Sequence, residues 1–152
     1  MEKNIYKINT LGLLGTGVIG SGWASRALHA GINVIAFDIN PKMNDWIVDF
    51  VENAFISLDA LTQGMNVPQK GQLIFTNDPI EMAKKSDFIQ ENVPEDLSIK
   101  RQSLELIAQV TDADIIISSS TSGFIPSDLQ KNMPHPERFI VGHPFNPVYL
   151  CP

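Results

Sequence analysis

A glycine-rich stretch between two apolar runs constrains the fold of this chain more than any other feature. It reads Gly15-Thr16-Gly17-Val18-Ile19-Gly20, after an apolar run (Ile8 to Leu14) and at the start of a helix-like run (Val18 to Ala30). This is the G-x-G-x-x-G pattern of a strand-to-helix turn. The first glycine allows the tight turn, the second lets a pyrophosphate approach the backbone, and the third allows close packing of the helix on the sheet. The pattern predicts a βαβ unit that binds phosphates at the helix N-terminus.

A carboxylate after the next apolar run strengthens this prediction, because the six-residue pattern alone is weakly specific. Val34 to Phe37 ends in Asp38, which follows the last glycine at close to the ~20-residue spacing of an acid that binds an adenosine ribose. No arginine follows it to accept a 2′-phosphate, and Lys42 is the one nearby cation. We therefore expect NAD rather than NADP as the cofactor. The cofactor contacts predicted in this half are Gly15, Thr16, Gly17, Val18, Ile19, Gly20 and Asp38.

Length and composition bound the class of protein. The 152 residues, 43% of them hydrophobic and 18% charged, fit one globular domain. A net charge of −6 argues against a nucleic-acid partner. No apolar run approaches the ~18 residues of a membrane span, and the N-terminus lacks the apolar region of a signal peptide. Cys151 is the single cysteine, so no intrachain disulfide is expected, and a cytoplasmic location fits best.

Apolar runs and turn signals predict alternating strands and helices along the whole chain. The predicted strands are Ile8–Leu14, Asn33–Phe37, Leu73–Thr76, Asp87–Glu91, Asp114–Ser118 and Arg138–Gly142. The predicted helices are Val18–Ala30, Pro41–Leu61, Pro79–Lys85, Leu97–Val110 and Pro126–Lys131, with a loop at Gln63–Gln72. His29 is expected on the surface. The alternation predicts an α/β fold, a Rossmann-type doubly wound parallel sheet with helices on both faces.

Polar stretches follow several of the predicted strands. They are Gly15–Gly20, Asp38, Glu91–Glu95, Ser118–Ser122 and His143–Asn146. Ligands of doubly wound sheets bind beyond the carboxyl ends of the strands. We therefore expect these stretches to meet at one edge of the sheet and to form the rim of an active site.

Motifs in the second half resemble those of the L-3-hydroxyacyl-CoA dehydrogenase superfamily. They are Ser118-Ser119-Ser120-Thr121-Ser122-Gly123, His135-Pro136-Glu137-Arg138-Phe139 and Gly142-His143-Pro144-Phe145-Asn146-Pro147. They are most similar to the L-carnitine dehydrogenase branch, as is the run from Gly17 to Ala24, and the gulonate dehydrogenase and lambda-crystallin branch is the near rival. The acyl-CoA enzymes usually have phenylalanine in place of Pro144. The resemblance covers essentially the whole chain and implies NAD-dependent oxidation of a small-molecule substrate, carnitine or another 3-hydroxy acid.

The resemblance also implies roles for five further residues. His143 would be the general base that takes the proton from the C3 hydroxyl as hydride leaves for the nicotinamide. Ser122 would hydrogen-bond the substrate oxygen and also contact the cofactor. Asn146 would be an active-site residue near the nicotinamide and its ribose. Glu95 and Lys100 would contact the cofactor on the nicotinamide side. Without the resemblance, each has an ordinary structural interpretation, such as a turn residue, an exposed helix-start acid or a surface lysine.

The sequence departs from the family pattern at its end. The family pairs its histidine with a glutamate shortly after the Asn-Pro motif, and this sequence ends at Cys151-Pro152, before that position. The family also has a helical C-terminal domain with substrate and dimer contacts. We therefore expect residues 1–152 to be an NAD-binding domain, inactive alone, of a protein that forms a homodimer. The alternatives are a dehydrogenase for another 3-hydroxy acid or 3-hydroxyacyl-CoA, and a non-enzymatic nucleotide-binding protein; no metal site is expected.

Overall fold

A computed structural model describes residues 7–151 of the chain. Its strands are β1 (Thr10–Leu14), β2 (Asn33–Phe37), β3 (Leu73–Thr76), β4 (Phe88–Glu91), β5 (Ile116–Ser119) and β6 (Phe139–Val141). Its α-helices are α1 (Val18–His29), α2 (Met43–Leu61), α3 (Pro79–Lys84), α4 (Leu97–Ala108) and α5 (Pro126–Leu129), and a 3₁₀ turn spans Pro136–Arg138. Each predicted bound that differs from the observed one does so by at most two residues.

The six strands form one sheet in the order β3-β2-β1-β4-β5-β6. All five neighbouring pairs are parallel. This is the doubly wound order of dinucleotide-binding folds, in which the strand order reverses between β1 and β4. The predicted fold class is therefore confirmed, and the reversal places a crevice above the carboxyl ends of these two strands.

An apolar layer covers each face of the sheet. On one face, α1 and α2 bury side chains that include Leu13, Leu28, Val34, Ile47 and Val51. On the other face, the layer includes Met82, Ile89, Leu104, Ile107 and Ile117. Burying each large aliphatic side chain contributes about 1.5–3 kcal/mol, so the two layers hold the strands in register beneath the crevice.

The side chain of Asp87 binds the backbone at the start of β1. Its Oδ2 accepts hydrogen bonds from the backbone N–H groups of Asn9 and Thr10, both over 2.9 Å. The carboxylate thus accepts the hydrogen bonds of the backbone N–H groups at the start of β1, in place of a carbonyl from a neighbouring strand. This strand begins at Thr10 rather than Ile8, and Asp87 itself lies just before β4.

Apolar residues at helical spacing along α2 form a stripe, and only part of this stripe faces the core. Ile47, Val51 and Leu58 are buried, whereas Trp46 is 43% exposed and Leu61 is 63% exposed. The helix also begins at Met43 rather than at Pro41. The exposed part of the stripe therefore remains available to contact other groups.

The prediction that His29 lies on the surface is wrong. His29 is 3% exposed, because α2 packs over the last turn of α1. Its Nε2 lies 3.2 Å from Oδ1 of Asp59 on α2, and Nζ of Lys70 lies 2.7 Å from the other oxygen of that carboxylate. The three side chains therefore join α1, α2 and the loop before β3.

Candidate dinucleotide-binding and active site

Backbone hydrogen bonds extend the sheet beyond the strand ends and align the loops that follow. The N–H of Gly15 donates to the Phe37 carbonyl, and that of Asn92 donates to the Leu14 carbonyl. The N–H of Ser120 donates to the Glu91 carbonyl, and that of Gly142 to the Ser119 carbonyl; all four bonds span 2.7–2.9 Å. Each bond connects the loop after one strand to the end of its neighbour. The polar stretches predicted to converge therefore lie side by side at the carboxyl edge of the sheet.

The three glycines of the first turn differ in what the folded chain requires of them. Gly15 has φ +90°, a conformation that other residues rarely adopt. A Cβ on Gly20 would lie 2.1 Å from the carbonyl oxygen of Gly15, directly after β1, so glycine at this position lets α1 pack closely against the end of the strand. A Cβ on Gly17 would meet no atom within 4 Å. The fold does not need glycine at position 17, and the open space above it fits a close-approaching phosphate.

A cleft of about 490 Å³ opens between the glycine turn, the end of β2 and the loop after β4. Its lining residues are Leu14, Gly15, Gly17, Phe37, Asp38, Ile39, Met43, Asn92, Val93, Pro94, Ile99 and Ser103. The walls are largely aliphatic, and one carboxylate, that of Asp38, lies among them. An apolar slot beside a carboxylate has the features expected of a site for a flat base and its ribose diol.

The carboxylate of Asp38 is held in place by the glycine turn. Its Oδ2 accepts hydrogen bonds from the backbone N–H of Thr16 over 2.8 Å and from the Thr16 hydroxyl over 3.1 Å. Its Oδ1 accepts one from the N–H of Asn40 over 3.0 Å. Because each carboxylate oxygen can accept two hydrogen bonds, Oδ1 retains capacity for a ribose hydroxyl.

The ammonium group of Lys100 is almost entirely buried, with the residue 1% exposed. Its Nζ lies 2.8 Å from Oε1 of Glu91, 3.1 Å from the carbonyl of Val93 and 3.4 Å from Oε2 of Glu95. These three acceptors match the three N–H groups of an ammonium. The interpretation of Lys100 as a surface lysine is therefore wrong, and its charge faces protein groups beneath the rim.

Glu95 holds the loop that follows β5. One of its oxygens, Oε1, accepts hydrogen bonds from the hydroxyl of Thr121 over 2.6 Å and from the N–H groups of Ser122 and Gly123, both over 3.1 Å. Burial raises the pKa of Glu95, but these hydrogen bonds and the charge of Lys100 outweigh it, so the pKa lies below its ordinary value. The contacts therefore stabilise the loop above the ordinary carboxyl pKa and are lost as pH falls through the lowered one.

His143 lies exposed on the rim, and its orientation is set by a backbone group. Its Nδ1 lies 3.0 Å from the carbonyl oxygen of Ser120. A carbonyl can only accept a hydrogen bond, so Nδ1 of the neutral ring carries the proton and Nε2 has the free lone pair. The imidazole therefore has the tautomer that a general base requires at Nε2.

A network of polar side chains that sequence analysis missed connects the glycine turn to His143. Gln90 Nε2 donates to the Ser120 hydroxyl over 2.7 Å and to the Gly142 carbonyl over 3.3 Å. The Ser120 hydroxyl donates to Asn92 over 2.7 Å, and the Asn92 amide donates to the Gly15 carbonyl over 3.4 Å. The available signal was Gln90, a polar residue that directly follows the apolar pair Phe88 and Ile89 in a central strand.

The remaining predicted residues, Ser122 and Asn146, are exposed at the same edge. The backbone of Ser122 is tied to Glu95, and the segment with Asn146 follows His143 directly. Among residues 7–151, no hydrogen bond joins the side chains of Ser122, His143 and Asn146 to one another. The structure thus places all three on the rim without linking them directly.

Two further properties hold for the part of the chain that the structure describes. Its His, Cys, Asp and Glu side chains form no group of three or more arranged to hold a metal ion. None of the helices within residues 7–151 has the length and apolar character needed to cross a bilayer.

Comparisons with known proteins identify relatives across nearly the whole chain. The L-carnitine dehydrogenase of Pseudomonas putida is 44% identical over 150 residues, which cover 97% of this chain and 46% of that protein. The L-carnitine dehydrogenase/betainyl-CoA thioesterase of a Rhizobium species is 45% identical, with 91% and 28% coverage. A solved structure of 5-formyl-3-hydroxy-2-methylpyridine 4-carboxylic acid 5-dehydrogenase, an NAD⁺-dependent dismutase, matches with a TM-score of 0.85 at 32% identity, covering 94% of this chain and 46% of that one. The chain thus spans less than half the length of each of these proteins.

The family itself is defined by a match over most of the sequence. A family model described as "3-hydroxyacyl-CoA dehydrogenase, NAD binding domain" matches residues 10–152. The matched region contains the glycine turn, Asp38 and the whole carboxyl edge of the sheet. This chain therefore belongs to the 3-hydroxyacyl-CoA dehydrogenase family and carries its NAD-binding domain.

Proposed function

We propose that this chain is the NAD-binding part of a dehydrogenase that oxidises the 3-hydroxyl of L-carnitine to a ketone, with His143 as the general base. The observation that carries the catalytic role is the hydrogen bond from Nδ1 to the Ser120 carbonyl, which leaves Nε2 free to take a proton. The choice of carnitine rests on relatives such as the Pseudomonas putida enzyme. Because the chain spans less than half of these relatives, the activity is proposed for the whole protein that carries it.

Each part of the crevice has a role in this proposal. Asp38 accepts hydrogen bonds from the adenosine ribose, and the α1 N-terminus beside Gly17 faces the pyrophosphate. Bound NAD supplies a carbon that accepts hydride from the alcohol. His143 Nε2 takes the hydroxyl proton, and the Ser122 hydroxyl orients the reacting oxygen. Asn146 and Glu95 would contact bound NAD on its nicotinamide side, and Lys100 would position Glu95 from beneath.

The substrate assignment is tested by measuring the rate of NADH formation by the whole protein that carries this chain. L-carnitine should be oxidised with a higher kcat/KM than gulonate or a 3-hydroxyacyl-CoA, and D-carnitine serves as the stereochemical control. A higher kcat/KM for gulonate or the acyl-CoA would assign the protein to another branch. NADH binding without oxidation of any of these alcohols would favour the non-enzymatic alternative.

Replacing Asp38 with alanine should weaken NADH binding about 10- to 150-fold, because a hydrogen bond to a charged group contributes about 1.5–3 kcal/mol. The loss should be much smaller for NADPH, since the carboxylate that repels a 2′-phosphate is also gone. Isothermal titration of both nucleotides measures the two effects. Asp45→Ala, which removes an exposed acid of α2 outside the cleft, is the matched control. Tighter binding of NADPH than NADH by the unmodified chain would contradict the assignment.

Replacing Glu91 with glutamine should lower the melting temperature strongly. Glu91 is fully buried and accepts hydrogen bonds from Lys100, from the N–H of Val93 and from the Ser119 hydroxyl. Removing one partner of a buried ion pair costs about 3–5 kcal/mol, or roughly 6–20 °C for a domain of this size. Glu81→Gln breaks the exposed pair with Lys85 and should change the melting temperature little. Equal melting temperatures for the two variants would show that the buried pair does not stabilise the rim.

A further inference from the structure

A second cleft lies between α2 and the segment that follows β6, apart from the dinucleotide crevice. It has a volume of about 270 Å³, and its lining residues are Trp46, Asp49, Phe50, Asn53, Ala54 and Tyr149. Three of the six are aromatic, one is a carboxylate and one is an amide. None of them lines the dinucleotide cleft, and none has a role in the function proposed above.

The aromatic rings stand at steep angles to one another and form walls rather than a stack. The ring centroids of Trp46 and Phe50 are 6.0 Å apart with an interplanar angle of 44°. Phe50 and Tyr149 are also 6.0 Å apart and nearly perpendicular, at 85°. Rings in this arrangement can present several faces or edges to one small group between them.

The position of Tyr149 is fixed by the packing of the residue before it. Val148 is buried against α1, where a Cβ on Gly22 would lie only 2.8 Å from Cβ of Val148. This close approach holds the segment after β6 on the helical layer. Tyr149 is thereby placed against Phe50, so one wall of the cleft comes from α2 and the facing wall from the end of the described chain.

The charge around the cleft favours a cation. From Met43 to Leu61, α2 contains no lysine or arginine, and it carries the carboxylates of Asp45, Asp49 and Glu52 in addition to that of Asp59, which is paired with Lys70. Asp49 lies in the cleft wall itself. The faces of aromatic rings carry partial negative charge, so the rings and the carboxylate attract the same kind of ligand. A purely apolar partner would instead bury the carboxylate of Asp49 without compensation.

We propose that this cleft binds a small organic cation with a methylated ammonium group. Such a group has a diffuse charge and an apolar surface, and aromatic walls beside a carboxylate suit both properties. The cleft is smaller than the ~300–1,000 Å³ of drug-sized sites, which fits a headgroup rather than a large ligand. The inference goes beyond the function proposed above, since it depends neither on His143 nor on the identity of the alcohol.

Choline and its uncharged isostere 3,3-dimethyl-1-butanol are the probes for this site. Both are titrated into the ¹⁵N-labelled protein, and amide shifts of Asp49, Asn53 and Tyr149 and the Trp46 indole shift are followed by NMR. We expect saturable shifts with choline, and weaker or no binding of the alcohol. Asp49→Asn and Trp46→Leu should each weaken choline binding about two- to fivefold, the effect of an exposed cation–aromatic or charge contact. Ile56→Ala, an exposed change on the same helix outside the cleft, should leave it unchanged.

Each outcome of this experiment decides the proposal. Equal binding of choline and its isostere would show an apolar patch without preference for charge, and no saturable shift with choline would show that the cleft binds no such cation. Either result overturns the inference. NADH titration of the same samples confirms that the variants are folded. It also distinguishes a loss of choline binding at this cleft from a loss of NADH binding at the dinucleotide site.

Discussion

Replacing Gly17 with valine is expected to abolish NADH binding while the protein remains folded. Gly17 has φ −62°, which valine adopts readily, and a Cβ there would meet no atom of the chain within 4 Å. The added methyl groups would instead occupy the space at the α1 N-terminus where a pyrophosphate approaches the backbone. Titration calorimetry with NADH and a thermal melt of the same sample measure the two properties separately.

Two companion variants identify the cause of the effect. Gly17→Ala adds one methyl group and should give intermediate affinity. Gly20→Val should unfold or strongly destabilise the protein, because its Cβ would lie 2.1 Å from the Gly15 carbonyl oxygen. Unchanged NADH affinity in folded Gly17→Val would show that the cofactor does not approach the backbone at this position.

Replacing His143 with glutamine is expected to lower kcat about 10²- to 10⁴-fold in the whole protein that carries this chain, the usual contribution of a general base. Glutamine is polar and close to histidine in size, but its amide has no basic nitrogen to take a proton. Substrate position is thus largely preserved and proton transfer is lost. The rate of NADH formation with L-carnitine measures the effect.

The cofactor affinity completes this test. NADH affinity should stay the same in the variant, in contrast to Gly17→Val. A kcat within a few fold of the unmodified protein would mean that another group takes the proton.

Local sequence patterns were sufficient to predict the strands, most helices and the dinucleotide turn. β2 and β3 have the bounds expected from their apolar runs. The central strand β2 is apolar over most of its length because helices cover both faces of the sheet there. The glycine pattern is equally local, since φ +90° at Gly15 and the contact of Gly20 with the Gly15 carbonyl arise within six residues. The parallel alternation of strands and helices then implied the fold.

Burial of charged and polar side chains could not be predicted in the same way. Lys100 and His29 have ordinary positions in their helices, and both are buried because polar groups outside their own helices surround them. Nζ of Lys100 lies between the carboxylates of Glu91, at the end of β4, and Glu95, in the loop that follows, and His29 meets Asp59 thirty residues later. A helical pattern reports which face of a helix is apolar, but it does not report which charged group lies opposite.

The tautomer of His143 depends entirely on long-range packing. His143 follows β6 and Ser120 follows β5, and their hydrogen bond exists only because these strands are adjacent in the sheet. The same is true of Gln90 and Asn92, which connect β4 to the loops of its neighbours. Motif and spacing identified a histidine of the right type, but the proton on Nδ1 is set by a carbonyl twenty-three residues away in the chain, brought within 3.0 Å by strand pairing.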